Sequence, residues 1–231
     1  MKFEVSVKKI IQETPNAKSF IFDKPKGLDF NPGQSFSIYF LQDHGELRGV
    51  PRSFTPSTSP TFDHMELTVK KETVFTTEIL NNFKVGEKLG LHGPFGKIAF
   101  TEDIKDDLIL IAGGSGITPM MSIIRYVVDK KLPNKITLLY SNKTEEDIIY
   151  KKELEDLEKK GKLKVVYCIT REKNPGIKCY TKRIESEIIT ESTDLLKEKT
   201  FFVCGPPQMV SSLTDMLRTL KVPDKKIIYE K

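Results

Sequence analysis

At 231 residues the chain has room for two modest domains, each with its own core. The composition is 38% hydrophobic and 30% charged, and apolar runs such as "LILIA" (108–112) are far too short to cross a bilayer, so a membrane-spanning helix is excluded. The 37 basic residues outweigh 32 acidic ones by only five charges, with no basic run interleaved with aromatics. That excludes a nucleic-acid reader and leaves room for an acidic partner.

The N-terminal "MKFEVSVKKI" alternates like a strand and lacks the apolar stretch of a signal peptide, which predicts a cytoplasmic protein. Short alternating segments follow: "KSFIF" (18–22), "SFSIYFL" (35–41), "MELTVKK" (65–71) and "KLGLHG" (88–93). Turn signals such as "NPGQ" and "GPFG" separate them, a pattern that predicts an antiparallel sheet or barrel. The pattern changes at "TEDIKD" (101–106), which divides an expected domain 1–101 from a second, 102–231.

Beyond that break, apolar strands alternate with helical patterns, the mark of a parallel α/β sheet. "LILIA" leads to a helix with Met120, Ile123, Ile124, Val127 and Val128 on one face. "KITLLY" leads to the charged helix "KKELEDLEKK", and "KVVYCIT" to a helix around "TKRIESEII" (181–189). "FFVCG" precedes a helix carrying Met209, Leu213, Met216, Leu217 and Leu220, and "KKIIYEK" closes the sheet. Cys168, Cys179 and Cys204 have spacings that suit neither a disulfide framework nor a zinc or iron–sulfur site. His44, His64 and His92 are scattered, so no metal is expected.

Three stretches carry chemistry. "AGGSGITPMM" (112–121) sits between a buried strand and a helix, with Pro119 suited to the first helical turn. Free N–H groups at such a helix start attract phosphate, and glycines let a ligand approach the backbone. A tight structural turn explains the loop alone equally well. "RSFTPSTS" (52–59) adds an arginine and several hydroxyls at a strand end, and "CGPPQM" (204–209) places a thiol, a glycine and prolines where another parallel strand meets its helix.

In order along the chain, R-x-[YF]-[ST], G-P-x-G, G-G-[ST]-G-I-x-P-M and C-G-P-P-x-M resemble the ferredoxin–NADP reductase superfamily of flavoenzymes. "RSFTPSTS" and "NKTEEDIIYKKELEDL" are most similar to its cytochrome b5 reductase branch. The resemblance spans almost the whole chain. It implies an N-terminal six-stranded antiparallel Greek-key β-barrel that binds FAD and a C-terminal five-stranded parallel α/β domain that binds the nicotinamide nucleotide.

Carried over residue by residue, Arg52 would pair with the FAD diphosphate, beside Ser53. Phe54 stands where the family usually has tyrosine, and Thr55 would hydrogen-bond near flavin N5. Lys70 is a further candidate cofactor contact. Thr77 matches the family's diphosphate-capping hydroxyl, with Thr76 as the competing alignment and a plain helix cap as the bland explanation. Gly113, Gly114, Ser115, Gly116 and Thr118 would cradle the nucleotide diphosphate, whereas Gly93 and Gly96 read as turn residues. Cys204 would position the reacting nicotinamide carbon, though a buried small hydrophobe is its alternative. Gly205, Pro206, Pro207 and Met209 would shape the site, and Glu230, next to the chain end, is left out of it. Thr170, Arg171, Lys178 and Tyr180 resemble the set that holds a 2′-phosphate, so NADPH is expected over NADH.

The activity implied is hydride transfer from NAD(P)H to FAD, then single-electron delivery to a separate ferredoxin, flavodoxin or haem protein of acidic character. A free-flavin or ferric-chelate reductase and a non-catalytic flavin-binding subunit are the alternatives.

Overall fold

The computed structural model describes residues 2–41 and 51–230; His44 and Lys231 lie outside the described residues. Six strands form the first domain: β1 (Lys2–Thr14), β2 (Ala17–Asp23), β3 (Ser35–Phe40), β4 (Arg52–Phe54), β5 (His64–Lys70) and β6 (Lys88–Phe95). Their antiparallel order is β4-β3-β6-β1-β2-β5, with the last strand inserted between β3 and β1 as in a Greek key. The edges meet where the Ser57 N–H donates to the Glu66 carbonyl (2.9 Å). The inward faces enclose Phe20, Phe22, Phe36, Phe40 and Met65.

β1 runs well past the alternation of "KFEVSV". Lys2–Ser6 pair with β6 and Val7–Thr14 with β2, with an irregular register between Val7 and Lys9. A bulge of this kind shifts the side-chain alternation, which is why the sequence pattern ends early. Helix α1 (Val74–Asn82) follows β5. Thr73 accepts from the Thr76 N–H and Thr76 from the Thr73 N–H, a reciprocal capping box.

The second domain comprises β7 (Leu108–Gly113), α2 (Ile117–Asp129), β8 (Ile136–Asn142), α3 (Lys151–Lys159), β9 (Lys164–Ile169), α4 (Ser186–Ser192), β10 (Thr200–Cys204), α5 (Pro207–Thr219) and β11 (Ile227–Tyr229). The strands are parallel in the order β11-β10-β7-β8-β9. Every residue of β7 is buried because helices cover both faces. Leu108, Leu110 and Ala112 pack on one side and Ile109 and Ile111 on the other. The helix expected over 181–189 starts only at Ser186, with Glu185 extended at its N-cap. The preceding basic residues instead line the cleft described below.

A buried polar network joins the domains. Arg125 on α2 grips Glu153 with two hydrogen bonds (2.9 and 2.7 Å) and reaches Glu66 on β5 (3.0 Å) and the Ser57 carbonyl (3.0 Å). Ser57 and Tyr150 also donate to Glu66, both at 2.6 Å. Burial raises the Glu66 carboxyl, but the Arg125 charge and these hydrogen bonds outweigh it and leave Glu66 below the ordinary carboxylate range. Ser122 on α2 adds a bond to the Thr58 carbonyl (2.7 Å).

Candidate functional site

The parallel sheet dictates where the site lies. The chain runs from β7 to β8 and β9 on one side, then returns to β10 on the other. The carboxyl ends of the diverging strands, Gly113 on β7 and Cys204 on β10, therefore leave a crevice between them. A cleft of about 1370 Å³ occupies it, walled on the far side by β4, the end of β5 and the start of α1.

On that wall stand Arg52, Ser53, Phe54, Thr55, Lys70, Phe75 and Thr76. Phe40 stacks on Phe75 (4.6 Å), and the Arg52 guanidinium lies over the same ring (5.5 Å). Arg52 donates to the Pro51 carbonyl (2.9 Å) and forms no ion pair among the described residues, so its charge remains available to an anion. Of the two candidate threonines, Thr76 lines the cleft and Thr77 does not. The Thr76 hydroxyl is also engaged with the backbone N–H groups of Glu72 and Thr73 (2.9 and 2.8 Å).

The glycine loop does two jobs. A Cβ on Gly116 would lie 2.4 Å from the Cys204 carbonyl oxygen, and one on Gly113 would lie 2.5 Å from Met209 Sδ. Both glycines therefore serve close packing of the β10–α5 turn, which the ligand-approach argument alone did not anticipate. Gly114 has φ +54°, and a Cβ there would meet only the Lys70 ammonium at 3.9 Å, so this glycine serves the turn toward the cleft rather than close packing. Gly116 caps α2 without any side-chain hydrogen bond. The Ile117 N–H turns back to the Gly114 and Ser115 carbonyls and Pro119 has no N–H, so an anion here would meet the positive end of the helix dipole more than a row of free donors. Ser115 and Thr118 line the same space, and the Thr118 hydroxyl donates to the Ser115 carbonyl (3.3 Å).

Across the loop stand Cys204, Gly205, Pro206 and Met209. Burial, and then the nearby Glu230 charge, push the Cys204 thiol up to about 11, so it is protonated at neutral pH. Glu230, omitted by the sequence reading as near-terminal, also lines the cleft; its carboxylate accepts from the Lys97 N–H (3.1 Å). That contact spans 133 residues, a separation invisible to local pattern.

At the carboxyl ends of β8 and β9 the lining is basic. Thr170 and Arg171 are present, joined by Lys143, Lys182 and Arg183, which the sequence reading missed. Lys178 and Tyr180 are not in it. Tyr180 pairs its backbone with the β9 segment at Ile169 and Tyr167, and its hydroxyl donates to Glu191 (2.7 Å). Lys143 enters the lining because β8 and β9 end side by side, and Lys182 and Arg183 enter it from the segment before α4.

Comparison with known proteins agrees with this geometry. The family described as Oxidoreductase NAD-binding domain matches residues 110–215. An NADH-cytochrome b5 reductase 2 of Mycosarcoma maydis is 31% identical over 91% of this chain and 63% of its own length. An NADH-cytochrome b5 reductase 1 of Candida glabrata is 32% identical over 96% of this chain and 79% of its own. The chain spans 59% of a further relative, Flavohemoprotein A of Dictyostelium discoideum, so it covers only about three fifths of some relatives. Among solved structures, the cytochrome b5 reductase domain of Ulva prolifera nitrate reductase superposes with TM-score 0.85 at 23% identity. It covers 100% of this chain and 97% of that one. A ferredoxin NADP+ reductase from Neisseria gonorrhoeae, with bound FAD and NADP, gives 0.83 at 20% identity over 99% and 98%. With its two-domain fold, its cleft and relatives above 30% identity, the chain belongs to the ferredoxin–NADP reductase superfamily of flavoprotein reductases.

Proposed function

We propose that this protein is an FAD-dependent NAD(P)H reductase that passes electrons singly to a separate carrier protein. The observation that carries the reading is the convergence, in one cleft, of an arginine with no ion pair among the described residues, a glycine-rich helix start without a side-chain cap and a protonated thiol. The residues fit a flavin dinucleotide. Arg52 offers a planar fork for a diphosphate, and Phe54 offers an apolar face. When bound, FAD supplies the hydride acceptor and the change from two-electron to one-electron chemistry.

The chain's own residues bind and orient. Arg52 and the α2 N-terminus each hold a phosphate-bearing ligand on opposite walls, which brings the two redox rings together between them. Thr55 offers a hydroxyl at the reacting face. Cys204, as a neutral thiol, aligns the nicotinamide rather than attacking it. The basic surface charge suits an acidic carrier, and both cytochrome b5-type and ferredoxin-type acceptors agree with the relatives' names.

For the nucleotide we favour NADPH, held at its 2′-phosphate by Arg171 with Lys143 and Arg183 in place of Lys178 and Tyr180. The support is four basic side chains at this end of the cleft and a threonine, not a carboxylate, at position 170. Purified protein loaded with FAD should be reduced by nucleotide and should turn over a carrier protein at micromolar levels. Its kcat/KM should favour NADPH, and Arg171→Ala should cut that preference about tenfold or more, since a charged hydrogen bond is worth about 1.5–3 kcal/mol. A parent enzyme that prefers NADH would overturn the nucleotide assignment, and one that holds no flavin would overturn the activity.

A further inference from the structure

We propose that Asp147 is a positioning residue for nucleotide binding: it holds the Lys70 ammonium over the glycine loop, where the dinucleotide diphosphate binds. This rests on the reading of the cleft as a nucleotide site. Lys70 ends β5 of the first domain, whereas Asp147 lies in the turn after β8 of the second. Their Nζ–Oδ1 distance is 2.9 Å, and the side chains are only 10% and 15% exposed, so the pair is a largely desolvated bridge across the domain junction.

The carboxylate is itself fixed. The Thr144 hydroxyl donates to its second oxygen (3.2 Å). Burial raises the Asp147 carboxyl, but the hydrogen bond and charge of Lys70 outweigh it, and the group stays ionised at neutral pH. Lys70 Nζ stands 3.9 Å from the point a Cβ on Gly114 would occupy, at the loop residue with φ +54°. The Tyr140 hydroxyl already occupies the Gly114 carbonyl (3.1 Å). The Ile117 N–H turns back to the same carbonyl, so beside this ammonium the loop presents the positive end of the α2 dipole without a side-chain cap, in the cleft that Lys70, Gly114 and Ser115 line together.

An ammonium has three donors, so one can hold Asp147 while others meet a phosphate. A lysine stem is flexible, and restraining it in advance removes an ordering cost from ligand binding. Taken only as a charge, Asp147 would repel a diphosphate. The two roles therefore predict opposite signs: removing a mere charge strengthens nucleotide binding, and removing a positioner weakens it.

The test is calorimetric titration of the FAD-loaded protein with NADP+ and NAD+, at fixed ionic strength, for the parent, Asp147→Asn, Lys70→Met and the double variant. Each single change should raise the nucleotide Kd about tenfold, or about 1.4 kcal/mol. The double variant should bind no more weakly than Lys70→Met. FAD content should be unchanged, and KM should rise with little change in kcat. Unchanged or tighter binding by Asp147→Asn, or additive losses in the double variant, would overturn the proposal. Should Asp147→Asn not fold, Asp147→Glu keeps the charge but displaces the ammonium. Weakened nucleotide binding would then support the proposal, and parent-like affinity would overturn it. A parent protein that binds neither nucleotide defeats the functional reading instead, which separates the two failures.

Discussion

Two parts of the domain junction use polar groups in opposite ways. Around Arg125 every charge is spent within the protein: Glu66, Glu153, Ser57 and Tyr150 satisfy one another, and the Arg125 and Glu66 side chains are about nine-tenths buried. Around the cleft, Arg52 has no ion pair among the described residues. The Asn142 carboxamide there is buried without a hydrogen-bond partner among them. Buried polar groups are ordinarily satisfied, so the first region is built for alignment and the second for a ligand. Lys70 belongs to both, paired across the junction and facing the cleft.

The strongest way to break this contrast is on the closed side. Arg125→Met strands Glu66 in a buried setting and should cost about 3–5 kcal/mol of stability. Chemical denaturation of the FAD-loaded protein measures it, and a loss below about 1 kcal/mol would refute the network's role. The same network has a pH signature. Glu66 titrates lower when folded than when unfolded. Its stabilisation is therefore full above the unfolded value and lost as pH falls through the folded one. Glu66→Gln should flatten that acid-side slope.

On the open side the response should move from stability to ligand. Arg52→Ala should leave the unfolding free energy of the flavin-free protein nearly unchanged and weaken FAD binding by about 1.5–3 kcal/mol. Fluorescence titration of flavin reads this directly. Retention of FAD at the parent's affinity would remove Arg52 from the site.

The smallest expected effect concerns alignment alone. Cys204→Ala should fold and bind FAD normally, yet lower the limiting rate of flavin reduction by roughly tenfold, because small misplacements of reacting atoms are costly. Stopped-flow absorbance measures it, and an unchanged rate would make Cys204 a packing residue. Alkylation at neutral pH should also be slow, since burial keeps the thiol protonated.

Local pattern by itself determined the two sheets, the glycine turn before α2 and the positions of Arg52 and Cys204. Alternation and helical periodicity are short-range consequences of burying one face, so they survive in the sequence. Tertiary structure decided the rest. β1 outran its pattern because two different partners share it across a bulge. Gly113 and Gly116 proved to be fixed by Met209 and the Cys204 carbonyl, contacts from another strand–helix turn. Lys178 and Tyr180 lie outside the cleft lining, which Lys143 joins because β8 and β9 end side by side, and Lys182 and Arg183 join from the segment before α4. Glu230 and Asp147 are held by contacts 133 and 77 residues away, to Lys97 and Lys70. Such contacts follow from how two separately patterned domains pack together, and no local residue pattern encodes that packing.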